Sequence, residues 1–318
     1  MQYDVFNGDA DGLCALLQLR FAQPAESVLI TGVKRDIELL AKVNAQAGDY
    51  VTVLDVSLAK NSAELVRVLE QGANVFYVDH HQAGEIPQHN QLKTLINTDA
   101  NICTSLLMDE YLAGQYREWA VVGAFGDNLI PQAEKAARLL SLTTDELKSL
   151  QNLGVCINYN SYGDSIADLH FAPDTLYQEA CHYGSPLDFI TDKRVIYEQL
   201  TAAYNDDITQ ALTISPEYQS DFVAVYLLPD AAWARRVSGV LSNELANRHP
   251  DRAHAVLSYR PRGDYQVSVR APLTRPTGAD ELCSIFVSGG GRKSAAGINH
   301  LPTEQLPVFI NTFVQHYR

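Results

Sequence analysis

Over about the first 98 residues, short β-branched and aromatic runs alternate with stretches whose apolar positions recur at helical spacing. Tyr3 to Phe6, Ser27 to Thr31, Tyr50 to Leu54, Val75 to Val78 and Thr94 to Asn97 read as strands closed by turn residues. Between them Leu13, Leu16, Leu17 and Leu19, then Ile37, Leu39, Leu40 and Val43, then Leu65, Val66 and Leu69 predict helical faces. The third helix has an opening signature, Asn61 as cap with Glu64 three residues on. Repeated strand–helix units of this kind predict a right-handed, doubly wound parallel sheet.

Beyond it, Thr104-Ser105 opens a helix through Leu106, Leu107 and Tyr111, and Trp119 to Phe125 leads into the turn Gly126-Asp127-Asn128. Helices fill about 131 to 155, with Thr143 and Glu146 as a capping box. Asn158 to Asp164 then mixes amides with tyrosines. It reads either as a turn-rich connection or as ring faces and amide donors for a base. Residues 166–215 are helical and polar, a linker between a catalytic domain at 1–165 and a smaller C-terminal α/β domain with a mixed sheet at 216–318. The second domain opens on the strand Phe222 to Leu227 and a helix over about 231–247. A hairpin follows, His254 to Tyr259 and Tyr265 to Ala271 around the turn Pro261-Arg262-Gly263-Asp264. In its second strand Arg270 shares a polar face with Gln266 and Ser268. A last helix runs from about Thr303 to Tyr317.

Composition narrows the class. No apolar run reaches membrane-spanning length and no basic leader precedes the first strand, so a soluble, unexported, cytoplasmic protein is expected. The five cysteines are odd in number and never in C-x-x-C spacing, which argues against a disulfide framework and against a zinc–thiolate cluster. A net charge of -14 argues against gripping a long polyanion, so any nucleic-acid substrate should be short or held by a few local cations.

The chemistry gathers at strand ends. The run Val75 to Val78 stops on Asp79-His80-His81, the first strand leads into Asp9-Ala10-Asp11-Gly12, and the strand from Tyr50 stops on Asp55. In a parallel sheet the carboxyl ends of the strands share one edge, so these groups should converge. Taken singly, each aspartate is better explained by a turn or a cap. Together with Asp127 they make a set of hard oxygen and imidazole donors suited to Mn²⁺ or Mg²⁺, with imidazole favouring Mn²⁺, and without cations so many carboxylates would repel. Near the end of the chain, Gly289-Gly290-Gly291 is followed by Arg292, Lys293 and Ser294. A flexible connection is one reading; backbone N–H groups open to an anion, beside two cations, is the other.

The motifs Asp9-Ala10-Asp11-Gly12, Asp55, Asp79-His80-His81, Gly126-Asp127 and Gly289-Gly290-Gly291 through Ala295-Ala296-Gly297 occur in the order found in the DHH phosphoesterase family, in the subfamily with a DHH-associated C-terminal domain. The sequence resembles that subfamily over nearly its whole length. The resemblance implies two divalent ions, Asp9 on one, Asp11, His80 and Asp127 on the other, and Asp55 bridging. It further implies Asp79 as a residue orienting the ligands, His81 toward the scissile phosphate, and Arg270 on the substrate phosphate. Two positions depart from the pattern: Val5 stands where many members carry a metal-binding histidine, and Arg292 where a histidine usually follows the glycines. The activity so implied is two-metal hydrolysis of very short oligoribonucleotides or linear dinucleotides such as pGpG to 5′-mononucleotides, in a cleft between the domains. Two rivals stand beside it. One is a hydrolase of 3′-phosphoadenosine 5′-phosphate or pyrophosphate, separable by a product assay; the other is a catalytically degenerate nucleotide sensor, separable by a turnover test.

Overall fold

In the computed structural model, which describes every residue except Pro261, the chain divides into two units, Met1–Ala202 and Ala203–Arg318. The first unit runs β1 (Gln2–Phe6), α1 (Ala10–Ala22), β2 (Val28–Ile30), β3 (Tyr50–Leu54), α2 (Leu58–Glu70), β4 (Asn74–Asp79), β5 (Leu92–Ile96), α3 (Thr104–Tyr111), α4 (Arg117–Gly126), α5 (Ile130–Ala137), α6 (Thr144–Ser161), α7 (Pro173–Ala180) and α8 (Pro186–Asp192), with α9 (Arg194–Leu212) carrying the chain into the second. Its sheet is parallel throughout in the order β2-β1-β3-β4-β5, and Phe6, Leu54, Val78 and Leu95 stand in register across four strands. The strand order reverses between β1 and β3, which is where doubly wound sheets open a crevice for ligands.

One face of this sheet buries Tyr3, Val5, Val53 and Tyr77 against Leu58, Leu65 and Leu69 of α2. Against the other lies α1, buried on all sides from Ala10 to Leu19 because α3, α4 and α6 pack over it. A helix so placed can tolerate a charge only if it is paired. Arg20 reaches back to the wholly buried Asp4 with a two-pronged contact, Nε to Oδ2 at 2.7 Å and Nη2 to Oδ1 at 2.5 Å.

Three local expectations change. Residues 37–43, expected as a helix, hold only a short 3-10 turn over Leu39–Lys42. The reason is Asn61, whose side chain accepts from the Leu40 N–H at 3.2 Å and donates to the Ile37 carbonyl at 2.6 Å, satisfying that backbone from outside. The same side chain is therefore not an N-cap: α2 starts at Leu58 and kinks at Asn61. The stretch from Asn158, read as a break, continues α6 to Ser161, and Asn160 binds the backbone of His170 and Phe171 in place of a ligand. The capping box of Thr143 and Glu146 is present with both its hydrogen bonds. α7 and α8 pack into the first unit, with the Trp119 indole N–H on the Tyr183 carbonyl at 3.0 Å and its ring 6.2 Å from that of Phe189.

The second unit continues with β6 (Tyr218–Gln219), β7 (Val223–Leu228), α10 (Ala232–Arg248), β8 (Ala253–Tyr259), β9 (Asp264–Arg270), α11 (Ala279–Ser284), β10 (Gly289–Gly291), β11 (Ala295–Pro302) and α12 (Leu306–Tyr317). Its sheet, ordered β10-β11-β9-β8-β7-β6, is mixed, with only the β7–β8 pair parallel. β8 and β9 form the expected hairpin, of whose turn Pro261 lies outside the described residues. Val225, Leu257, Val267 and Val269 pack on Phe309 and Phe313 of α12. No helix among the described residues is long and apolar enough to cross a membrane.

α10 packs over β8, where His254 is wholly buried with neither ring nitrogen hydrogen-bonded. Burial, then Arg252 and His249, lower its pKa from 6.5 to about 4. A histidine held neutral in this way favours the folded state fully above pH 6.5, and that contribution is lost as the pH falls toward 4, because only the unfolded chain takes up the proton. The difference of about 2.5 in pKa, at 1.36 kcal/mol each, is about 3 kcal/mol. Urea unfolding of His254→Leu should therefore lose up to this much less stability than the parent between pH 7 and 4.5. Equal losses in the two proteins would show that His254 does not set the slope.

Candidate active site

The acidic residues gather at the carboxyl edge of the parallel sheet because each follows a strand or ends a helix there. Asp9 is the N-cap of α1, its Oδ1 accepting from the Asp11 and Gly12 N–H groups at 3.0 Å each. Gly12 is required by this turn, since a Cβ would sit 2.4 Å from the Asn7 carbonyl oxygen. Asp55, directly after β3, adopts the left-handed region at φ 58, an uncommon state for a residue with a side chain. Asp79 ends β4, and Asp127 is the C-cap of α4.

The two histidines of the Asp79-His80-His81 run have different surroundings. His80 Nδ1 donates to the Ile102 carbonyl at 2.8 Å, so that in the neutral ring Nε2 is the nitrogen with the lone pair. That nitrogen stands 3.2 Å from Asp55 Oδ1 and 3.8 Å from Asp11 Oδ2. His81 Nδ1 donates to Asp79 Oδ1 at 2.7 Å, and the same oxygen accepts from the His80 N–H at 2.9 Å. Asp79 thus orients one imidazole and anchors the backbone of the other, while its Oδ2 is buried with no hydrogen bond. The His81 ring is one-third exposed, against 2% for His80.

Asp11 is held from the far side: its two oxygens accept from the N–H groups of Ser105 and Thr104, at 2.7 and 2.8 Å, at the amino end of α3. Thr104 Oγ1 also donates to Asp55 Oδ1 at 3.1 Å. Lys34, on the segment after β2, contacts Asp9 Oδ2, donates to Asn158 Oδ1 at 2.9 Å and stands 4.0 Å from Asp127 Oδ1. Lys34, Thr104 and Ser105, which the sequence did not mark, stand beside these groups, and Asn158, weighed in the sequence only as an amide donor to a base, joins them through Lys34.

The electrostatics match the crowding. Burial, followed by the charges of Asp9, Asp11 and Asp79 and opposed by His81, pushes the Asp55 carboxyl well above the ordinary range. Burial would also raise Asp9, but the Lys34 ammonium more than offsets it and the carboxyl lies below its usual value. Asp55, His80 and His81 bring one donor atom each within 4.8 Å of one another. Of these, His81 offers Nδ1 only by giving up Asp79, whereas His80 turns Nε2 toward Asp55 and is backed at Nδ1 by a carbonyl, the usual second bond of a metal-bound imidazole. A hard divalent cation fits this donor set, since it would relieve the crowded Asp55 carboxylate.

In the second unit, Arg270 ends β9 opposite Ala295 of β11, and the β10–β11 turn carries Arg292 and Lys293 at the same end of the sheet. Arg270 Nε donates to Asn243 Oδ1 on α10 at 2.7 Å. The triple glycine is an edge strand rather than a flexible connection. A Cβ on Gly289 would lie 1.7 Å from the Cys283 carbonyl oxygen, and Gly291 has φ 149, so the fold itself demands both. At Gly290 an added Cβ would meet nothing within 4 Å.

A parallel 2-1-3-4-5 sheet with Asp and His at its carboxyl edge, followed by a mixed-sheet unit, is the fold of DHH-domain proteins, and the structural neighbours of the chain are of that kind. It is similar to a DHH-domain protein from a family of ribosomal proteins (14% identity, TM-score 0.69, 99% of this chain and 85% of that one). It is also similar to exonuclease RecJ bound to manganese (18%, 0.60, 100% and 90%) and to the pGpG-specific phosphodiesterase PggH from Vibrio cholerae (14%, 0.55, 98% and 98%). No family model and no curated protein matches the sequence.

Proposed function

We propose that the chain is a divalent-metal-dependent phosphodiesterase that cuts very short oligoribonucleotides, including linear dinucleotides such as pGpG, to 5′-mononucleotides, with Mn²⁺ favoured. The observation that carries this reading is the division of labour between adjacent histidines: His80 turns a carbonyl-backed ring's Nε2 toward Asp55 and Asp11, and His81 is bonded to Asp79. The sequence resemblance expects a second ion on Asp9, where Lys34 is found. A bound divalent ion supplies charge neutralisation and a water of lowered pKa. His80, Asp11, Asp55 and Asp127 would hold it. His81, its Nδ1–H given to Asp79, keeps Nε2 to accept or return a proton at the reacting phosphate. Arg270, Arg292, Lys293 and the backbone at Gly290 are the proposed contacts to the substrate phosphate. The nearly end-to-end likeness to a pGpG-specific phosphodiesterase and to a manganese-bound exonuclease supports both the reaction class and the metal.

Substrate length follows from charge. The chain has 24 Lys plus Arg against 38 Asp plus Glu, and the cations grouped at one end of the second sheet suffice for one or two phosphates. Added phosphates would meet an acidic surface and gain little. With Mn²⁺ and a panel of 5′-labelled di- to decanucleotides, catalytic efficiency should be highest for dinucleotides, fall toward the longer strands, and level out as salt is raised. Efficiency rising with length at low salt would overturn the short-substrate reading and point to a processive exonuclease.

A further inference from the structure

Lys34 is fixed to the carboxyl edge of the sheet by two elements, α6 and the segment that joins β1 to α1. Its backbone N–H bonds the Ser161 carbonyl at the end of α6 at 2.9 Å, and its carbonyl accepts from Asn7 Nδ2 at 3.4 Å. Its ammonium contacts Asp9, bonds Asn158 and lies 5.5 Å from the centre of the Tyr162 ring. The side chain is 21% exposed, and a lysine tethered at both backbone and head group is not an ordinary surface charge. Both carboxylate oxygens of Asp9 are thereby engaged, Oδ1 by the α1 amides and Oδ2 by the ammonium. Val5, which stands where the sequence resemblance would place a metal-binding histidine, is wholly buried among Val53, Tyr77 and Leu58 of the apolar core.

We propose that the Lys34 ammonium is a permanent cation of the catalytic site, occupying the place on Asp9 that a second divalent ion would need, so that the chain works with one divalent ion and one ammonium. The proposal rests on the phosphodiesterase reading for its chemistry but not for its geometry. Two of the three ammonium N–H groups serve Asp9 and Asn158, and the third, with Asp127 Oδ1 4.0 Å from the nitrogen, would be the one to donate to a phosphoryl oxygen. A fixed ammonium there stabilises charge on the phosphoryl group as the reaction proceeds, and needs no metal uptake to do so.

The test counts ions on the full chain without substrate. Mn²⁺ titrated by calorimetry should saturate at one ion per chain, with an electron paramagnetic resonance spectrum of isolated Mn²⁺. Two exchange-coupled ions per chain would overturn the proposal, and so would the absence of any bound ion. Lys34→Met should keep that ion with an affinity closer to the parent than the roughly tenfold loss expected from removing a residue that merely orients a ligand. It should lower turnover of a labelled dinucleotide by about 100-fold or more, with partial recovery in Lys34→Arg. Parental turnover in Lys34→Met, or loss of its ion, would remove Lys34 from this role. Because the count uses no substrate, failure of the dinucleotide assay leaves it standing, and a count of two leaves the phosphodiesterase reading standing.

Discussion

Asp55→Asn is expected to fold and to lose metal-dependent turnover by three or more orders of magnitude. Asparagine is the appropriate replacement because the backbone here is left-handed, at φ 58, a region asparagine tolerates far better than alanine. It also keeps an acceptor for the Thr104 hydroxyl while removing the negative charge. In the parent, burial and the neighbouring carboxylates of Asp9, Asp11 and Asp79 disfavour the ionised form of Asp55, and a bound cation relieves that cost. The amide carries no such cost, so the metal-free variant should melt at or above the temperature of the metal-free parent. It should also show little of the melting-temperature rise that Mn²⁺ gives the parent, since stabilisation by a ligand follows RT ln(1 + [L]/Kd). His80→Ala should resemble it in turnover, through loss of the nitrogen 3.2 Å from Asp55. Near-normal turnover in either folded variant, or an undiminished Mn²⁺ shift in Asp55→Asn, would show that the metal is held elsewhere.

What the sequence discloses of this site depends on distance along the chain. Asp55 and the Asp79-His80-His81 run are legible because a buried parallel strand must stop where its polar residues begin, and the sheet brings those stops to one edge. Lys34 is not, because it breaks no local rule and its partner Asn158, though it opens an unusual run of amides and tyrosines, lies 124 residues away. The amides that hold Asp11 are similarly remote, 93 and 94 residues on; Thr104 and Ser105 are readable as a helix start but not as the clamp of an aspartate. Local signatures also mislead where a side chain finds a tertiary partner. Asn61 followed by Glu64 has the pattern of a capped helix, yet the Asn61 amide is committed to the 37–40 segment, and that one commitment both kinks α2 and replaces the expected helix there. The triple glycine is ambiguous for another reason. Only the tertiary approach of the Cys283 carbonyl separates a glycine demanded by packing, Gly289, from one that packing does not require, Gly290.

His81→Ala is expected to separate chemistry from metal binding. The nitrogen of His81 nearest Asp55, Nδ1 at 3.8 Å, is committed to Asp79, so the ring is oriented by a carboxylate instead of being presented to a cation. A hydrogen-bonded Asp–His pair of this kind holds the imidazole in one tautomer with Nε2 as the basic nitrogen, and a positioned acid or base contributes about 10²–10⁴ in rate. Turnover of a dinucleotide should fall within that range, while calorimetric Mn²⁺ affinity changes by less than the roughly tenfold typical of a disturbed ligand environment. Asp79→Asn sharpens the test. An amide in place of the carboxylate can accept from the His81 ring but can also donate to it, so the ring is no longer held in one tautomer and turnover should fall with Mn²⁺ affinity again nearly unchanged. Loss of Mn²⁺ in step with activity in His81→Ala would make His81 a ligand, and the lone pair now assigned to its Nε2 would have to be reassigned to the metal.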